Sequence, residues 1–121
     1  MFIELLDVKG REFGIPYKSI AVIIEGENGA CTLYATGLSG ATDLEMHYQE
    51  VAEELPRAYF VECWDPDGEL RRLVNVNHIK LVMANKDNPE HTGIYFTPID
   101  MMLYVKGCVS DILDKLYVAE H

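Results

Sequence analysis

Apolar and polar positions alternate in short stretches that recur along the chain. Ile3 and Leu5 flank Glu4, and Val61 and Cys63 flank Glu62, the period of two of a half-buried strand. Lys9-Gly10 and Asp67-Gly68 follow as turns, Asp-Gly suiting the positive φ angles of a tight hairpin. The pattern then predicts second strands at Phe13 to Ile15 and Leu73 to Val76. Third strands fall in the β-branched runs Ile20 to Ile24 and Ile79 to Met83, and fourth strands at Thr32 to Thr36 and Gly93 to Thr97. Leu44, Tyr48, Val51 and Leu55 make one apolar helical stripe, with Thr42 and Glu45 as its capping box. Val109, Ile112, Leu113 and Leu116 make a second stripe. Leu103-Tyr104-Val105 reads as a fifth strand, whereas its counterpart Thr42-Asp43-Leu44 reads equally as strand or helix.

Laying one series over the other exposes a repeat. Phe2, Glu4, Asp7 and Gly10 fall on Phe60, Glu62, Asp65 and Gly68 at equal spacing. One inserted residue later, Ile15, Ile20 and Val22 fall on Val74, Ile79 and Leu81. Two more bring Leu33 to Thr36 onto Ile94 to Thr97, and Val51 and Leu55 onto Ile112 and Leu116. The expected architecture is α+β: one domain, 1–121, made of two strand-rich repeats, 1–57 and 58–121. Each has several antiparallel strands followed by one helix, and the two pack as a pseudo-symmetric pair. The seam is Pro56-Arg57, where proline ends a helix.

Ile3-Glu4-Leu5, Gly10, Phe13, Ile15, Ile20, Ile23, Leu33 and Gly37 resemble the pattern of small flagellar FlbD/SwrD-type proteins. Tyr104-Val105-Lys106 and Val109 through Ile112 are similar to that family's closing strand and helix. The same rhythm resembles LytTR-type DNA-binding domains, which likewise run strands into a helix. The flagellar resemblance implies a phage or bacterial source.

Charge argues against the DNA-binding half of that resemblance. The 121 residues carry 20 acids and 10 bases, a net charge of −10. Residues 1–57 hold four bases and ten acids, and residues 58–121 hold six and ten. Phosphate recognition calls for a basic excess, so no direct nucleic acid and no anionic membrane are expected as partners. An acidic start and no long apolar run point to a cytoplasmic protein. Three cysteines without CxxC spacing point to a reducing compartment.

No catalytic constellation emerges. His47, His78, His91 and His121 lack metal-ligand spacing, so no metal is expected and no cofactor. Cys108 precedes a helix, but Asp111 and Asp114 oppose a thiolate there. Ser39-Gly40 falls short of a nucleophile elbow. The first strands of each repeat carry a better clue. With Ile3, Leu5, Val61 and Cys63 turned inward, Phe2, Leu6, Phe60 and Trp64 occupy the opposite face, and a strand apolar on both faces is covered on both sides. The cover is the other repeat, the closing helix, or a second chain in a homodimer. The function expected from sequence is therefore a non-catalytic adaptor or regulator that binds an unidentified protein through Phe2, Leu6, Phe60, Trp64 and Tyr95, with the acidic Glu50 and Glu53 beside them. The alternatives are an acidic mimic of nucleic acid that inhibits a nucleic-acid-binding protein, and a small-molecule sensor with its pocket between the repeats.

Overall fold

The computed structural model describes the backbone of residues 1–120 and the side chains of residues 1–117. The first half contains β1 (Phe2–Leu6), β2 (Glu12–Pro16), β3 (Ile20–Glu25), β4 (Cys31–Ala35), β5 (Thr42–Leu44) and α1 (Tyr48–Glu54). The second contains β6 (Phe60–Trp64), β7 (Arg71–Asn75), β8 (Ile79–Ala84), β9 (His91–Phe96), β10 (Met101–Lys106) and α2 (Val109–Glu120). Single 3-10 turns, Tyr17–Ser19 and Val76–His78, join β2 to β3 and β7 to β8.

Every pairing is antiparallel, in three sheets: β1-β2, β5-β4-β3-β7-β6 and β10-β9-β8. The middle sheet is covered on both faces, which explains why Ile20 to Ile24 is an unbroken apolar run. Ile20 and Ile23 pack with Ile3, Leu5 and Ile15 of the first hairpin, Leu33 of β4 and Val51 of α1. Ala21 and Val22, on the other face, pack with Cys63 and Val74 of the second hairpin, Ile94 and Phe96 of β9, and Ile112 of α2. The α+β class is as the sequence predicts.

Local register recurs between the halves. Phe2 to Leu6 pairs with Pro16 to Glu12, and Phe60 to Trp64 with Asn75 to Arg71. A register shift lies between Ile20 and Val22 in β3, and another between Ile79 and Leu81 in β8. Asp7 accepts from the backbone N–H of Arg11, and Asp65 from that of Glu69, each beneath a positive-φ glycine, Gly10 or Gly68.

Three expectations change. The expected packing of the repeats as a pseudo-symmetric pair is not confirmed: the halves share one sheet, because β3 hydrogen-bonds to β7 and the middle sheet draws three strands from before Pro56 and two from after it. Phe60 is consequently buried against the first half's core, the cover by the other repeat that its two-sided apolar strand allows, and is not free to bind a protein partner. Thr42–Leu44 is strand, since its residues pair with Leu33, Thr32 and Cys31 one by one. The helix therefore begins at Tyr48, and the Glu50 carboxylate accepts from the His47 N–H at 3.1 Å, so the cap is His47 with Glu50 rather than Thr42 with Glu45. Leu44 and Leu55 still enter the core, from a strand and from just past the helix.

Candidate nucleic-acid interface

The strand directions sort the connecting loops into two ends of the molecule. At one end lie the two 3-10 turns, the β4–β5 loop, the α1–β6 segment and the β9–β10 turn. Hydrogen bonds link these loops to one another around that end of the molecule. The Thr36 N–H donates to the Ser19 carbonyl, that of Val76 to Tyr59, and that of Thr97 to His78. The buried His78 ring donates from Nε2 to the Lys18 carbonyl at 2.6 Å. Asn75, also buried, donates from Nδ2 to the Ile20 carbonyl at 2.8 Å and accepts from the Asn77 N–H at 3.0 Å. The Tyr17 and Tyr59 rings meet at 5.6 Å. This end exposes Lys18 and Arg57, and neither forms an ion pair among the described residues. Among the described residues its loops carry one acid, Asp100, which accepts a hydrogen bond from the Tyr95 hydroxyl, while Glu53 and Glu54 at the end of α1 line clefts with Arg57 and Tyr17 respectively.

The opposite end is a concentration of carboxylates. Asp7, Glu27, Glu45, Asp65, Asp67, Glu69, Asp87 and Glu90 all sit in its loops, against Lys9, Arg11 and Lys86. Several are held ionised. The backbone N–H and guanidinium of Arg11 lower the Asp7 carboxyl below its ordinary range against the pull of burial. Burial opposes ionisation of Asp65, but N–H groups of Glu69, Leu70 and Gly68 outweigh it. Arg71 lowers Glu25 through side-chain hydrogen bonds. Carboxyls depressed in the folded state contribute stability above their unfolded values, 3.8 for Asp and 4.5 for Glu, and lose it as pH falls through the lower folded values. Urea midpoints measured from pH 7 down to pH 2 should therefore fall below about pH 4.5, and Glu25→Gln should flatten that decline. An equally steep decline in the variant would count against the assignment.

The residues expected to form a docking patch are scattered. Phe2 and Trp64 are exposed, Leu6 and Tyr95 are half-buried, and Phe60 is in the core. Glu50 caps its own helix and Glu53 accepts from Gln49. Burial pushes the thiol of Cys31 up to about 12 and that of Cys63 to about 11, so neither is a nucleophile at neutral pH. Among the described residues no His, Cys, Asp and Glu cluster is built to hold a metal. No helix among them is long and apolar enough to cross a membrane. Lys18, Arg57 and Asn77 were missed as site candidates, because each is an unremarkable polar residue in a loop until the fold gathers those loops together.

No family model matches the chain, and no curated protein matches it. Two solved structures do. One is the LytTr DNA-binding domain of a chain described as a methyl-accepting/DNA response regulator from Bacillus cereus, with a TM-score of 0.68 and 20% identity. The match covers 96% of this chain and 95% of that one. The protein has the LytTR fold.

That likeness corrects the reading drawn from net charge. The FlbD/SwrD resemblance finds no support. The protein-binding adaptor that excludes direct nucleic acid is overturned by a fold shared, nearly end to end, with a DNA-binding domain. The physical error lies in the sum: a net charge of −10 describes the whole surface, while a ligand meets one end of it. Among the described residues the loop acids are concentrated at the end away from Lys18 and Arg57.

Proposed function

We propose that this chain is a non-enzymatic regulator that binds duplex DNA through the linked loops around Lys18 and Arg57. The observation that carries the reading is the full-length likeness to a LytTr DNA-binding domain. The charge distribution supports the choice of end. Phosphate oxygens approaching the carboxylate-rich pole meet repulsion, whereas the linked loops offer two exposed cations and the polar Asn77, Thr97 and Ser39 on a scaffold pinned by backbone hydrogen bonds. With so few cations the phosphate contribution is small, and affinity should change with salt at a log–log slope of about two. Base contacts must then supply most of the selectivity.

The test is selection from a random duplex pool, followed by fluorescence anisotropy on the enriched site. Lys18→Glu combined with Arg57→Glu should weaken binding at least about tenfold, while Lys86→Glu at the other end should change it little. Failure to enrich any sequence at low salt would sink the proposal.

We also infer that residues 1–57 and 58–121 are copies of one unit, a hairpin followed by a three-stranded meander and a helix. The recurring register shifts, the paired Asp7 and Asp65 turns and the repeated order of elements support it.

A further inference from the structure

The junction between the halves leaves two matching vacancies at the ends of the chain. Inside the molecule, the β3 edge of the first meander pairs with β7 of the second hairpin: Val22 with Val74, Ile23 with Leu73 and Ile24 with Arg72. The counterpart of that β3 edge is β8, and it is the open edge of its sheet. The counterpart of β7 is β2, and among the described residues neither it nor the outer edge of β8 has a strand partner there. Exposure follows the same logic. Val22 is 0% exposed, and its counterpart Leu81 is 49% exposed. Phe60 is 4% exposed, and its counterpart Phe2 is 69% exposed. Val22 and Phe60, both buried at the internal junction, thus have uncovered twins in Leu81 and Phe2 at the free ends, while Ile15, the twin of Val74, is buried in its own half's core.

The surroundings of the two edges are also complementary. A cleft runs along β2, walled by Ser19, Thr36, Leu38 and Thr42. In the second half the corresponding place is filled by Ala21 and Val22 of β3. A groove beside β8 is lined by Val76, Ile79, Leu113 and Leu116. In the first half the equivalent position, against Leu55 and Ile20, is shared with Phe60.

From this repetition we infer that the β8 edge is a docking site for a second copy of this chain, whose β1–β2 hairpin adds to it antiparallel. The three-stranded sheet then becomes five-stranded, as the middle sheet already is. The expected pairs are Leu81 with the second copy's Ile15, Val82 with its Gly14, and Met83 with its Phe13, and its Phe2 enters the groove against Leu113. Pro16, which has no N–H to give, lies just outside those three positions. The ion pair of Arg71 with Glu25 that closes the internal junction has no equivalent, because the counterparts are Glu12 and Ala84. The contact between copies is accordingly weaker than the one within a copy. It is also heterologous, so each added copy presents a fresh edge and assembly does not stop at two.

Sedimentation or light scattering across a concentration series tests this. The weight-average mass should climb above 13.7 kDa with concentration and pass the dimer value. Leu81→Lys and Phe2→Ser, both at exposed positions, should each remain monomeric alone. Mixed, they retain one good edge apiece and should form a 1:1 dimer that grows no further. As a second readout, Glu12→Cys chains mixed with Ala84→Cys chains, both carrying Cys108→Ser, should form a disulfide-linked pair. A wild-type chain that stays monomeric at millimolar concentration overturns the inference. So do variants that do not combine on mixing, or Ala84→Cys chains that cross-link among themselves, which would mean a symmetric β8-to-β8 contact.

Discussion

Phe96→Ala should destabilise the protein by about 3–5 kcal/mol, the range for deleting a fully buried phenyl ring. Phe96 is wholly buried at the end of β9, among Ala21 and Val22 of the middle sheet and Ile94 and Val105 of the outer one. It therefore joins two layers, and the hole left by its removal is walled on one side by strands of the first half and on the other by strands of the second. Neither wall collapses without disturbing a hydrogen-bonded ladder. Domains of this size have net stabilities of about 5–15 kcal/mol, so the variant loses a large fraction of the whole. A urea titration reads the loss as a lowered midpoint with an unchanged slope. A change below about 1 kcal/mol would mean that the middle sheet and the β10-β9-β8 sheet are not packed as described.

Arg71→Ala should cost about 2 kcal/mol, by a different route. The Arg71 guanidinium donates to Glu25 from Nε at 3.1 Å and from Nη2 at 2.8 Å, and its Nη1 donates to Gln49 at 2.8 Å. Its cationic carbon lies 4.7 Å from the centre of the buried Tyr48 ring. One side chain thus ties β7 to β3 and to α1. Both ion-pair partners are largely covered, with side-chain exposures of 25% and 13%. Removing the arginine strands the Glu25 carboxylate, which is why the effect exceeds that of a surface pair, and the partial exposure keeps it below the cost for a fully buried one. Arg71→Lys should recover little, since an ammonium cannot span Glu25 and Gln49 together. Recovery of stability in the double variant Glu25→Gln, Arg71→Ala relative to Arg71→Ala alone would identify the stranded charge as the source.

Most of the local structure was legible in the sequence, and the reason is period. Strands with one face in the core write alternation into the chain, as Ile3-Glu4-Leu5 and Val61-Glu62-Cys63 do. Thr42-Asp43-Leu44 was ambiguous because three residues are too few to separate a period of two from one of 3.6; its strand state is decided by pairing with β4, a tertiary fact. The apolar outer residues of the first strands were visible, but their fates were not. Phe2 and Phe60 carry the same local pattern, and only the β3–β7 pairing makes one exposed and the other buried. That pairing joins residues 50 positions apart, as with Ile23 and Leu73, and nothing near either residue announces it. The candidate interface was illegible for a related reason. Lys18 and Arg57 are far apart in sequence, and their significance depends on where the acids go once the loops are sorted into two ends.

The shared middle sheet has a consequence for biosynthesis. β3 is the most apolar strand of the chain, and its final neighbour is β7. A ribosome working at about 5–20 residues per second needs roughly 3–10 s to travel the intervening distance. Throughout that interval the nascent chain carries an unsatisfied greasy edge that its own first hairpin does not cap. Productive folding of the amino-terminal part must therefore wait for the carboxy-terminal part, and the delay is the period in which a chaperone, or a neighbouring nascent chain, has its opportunity.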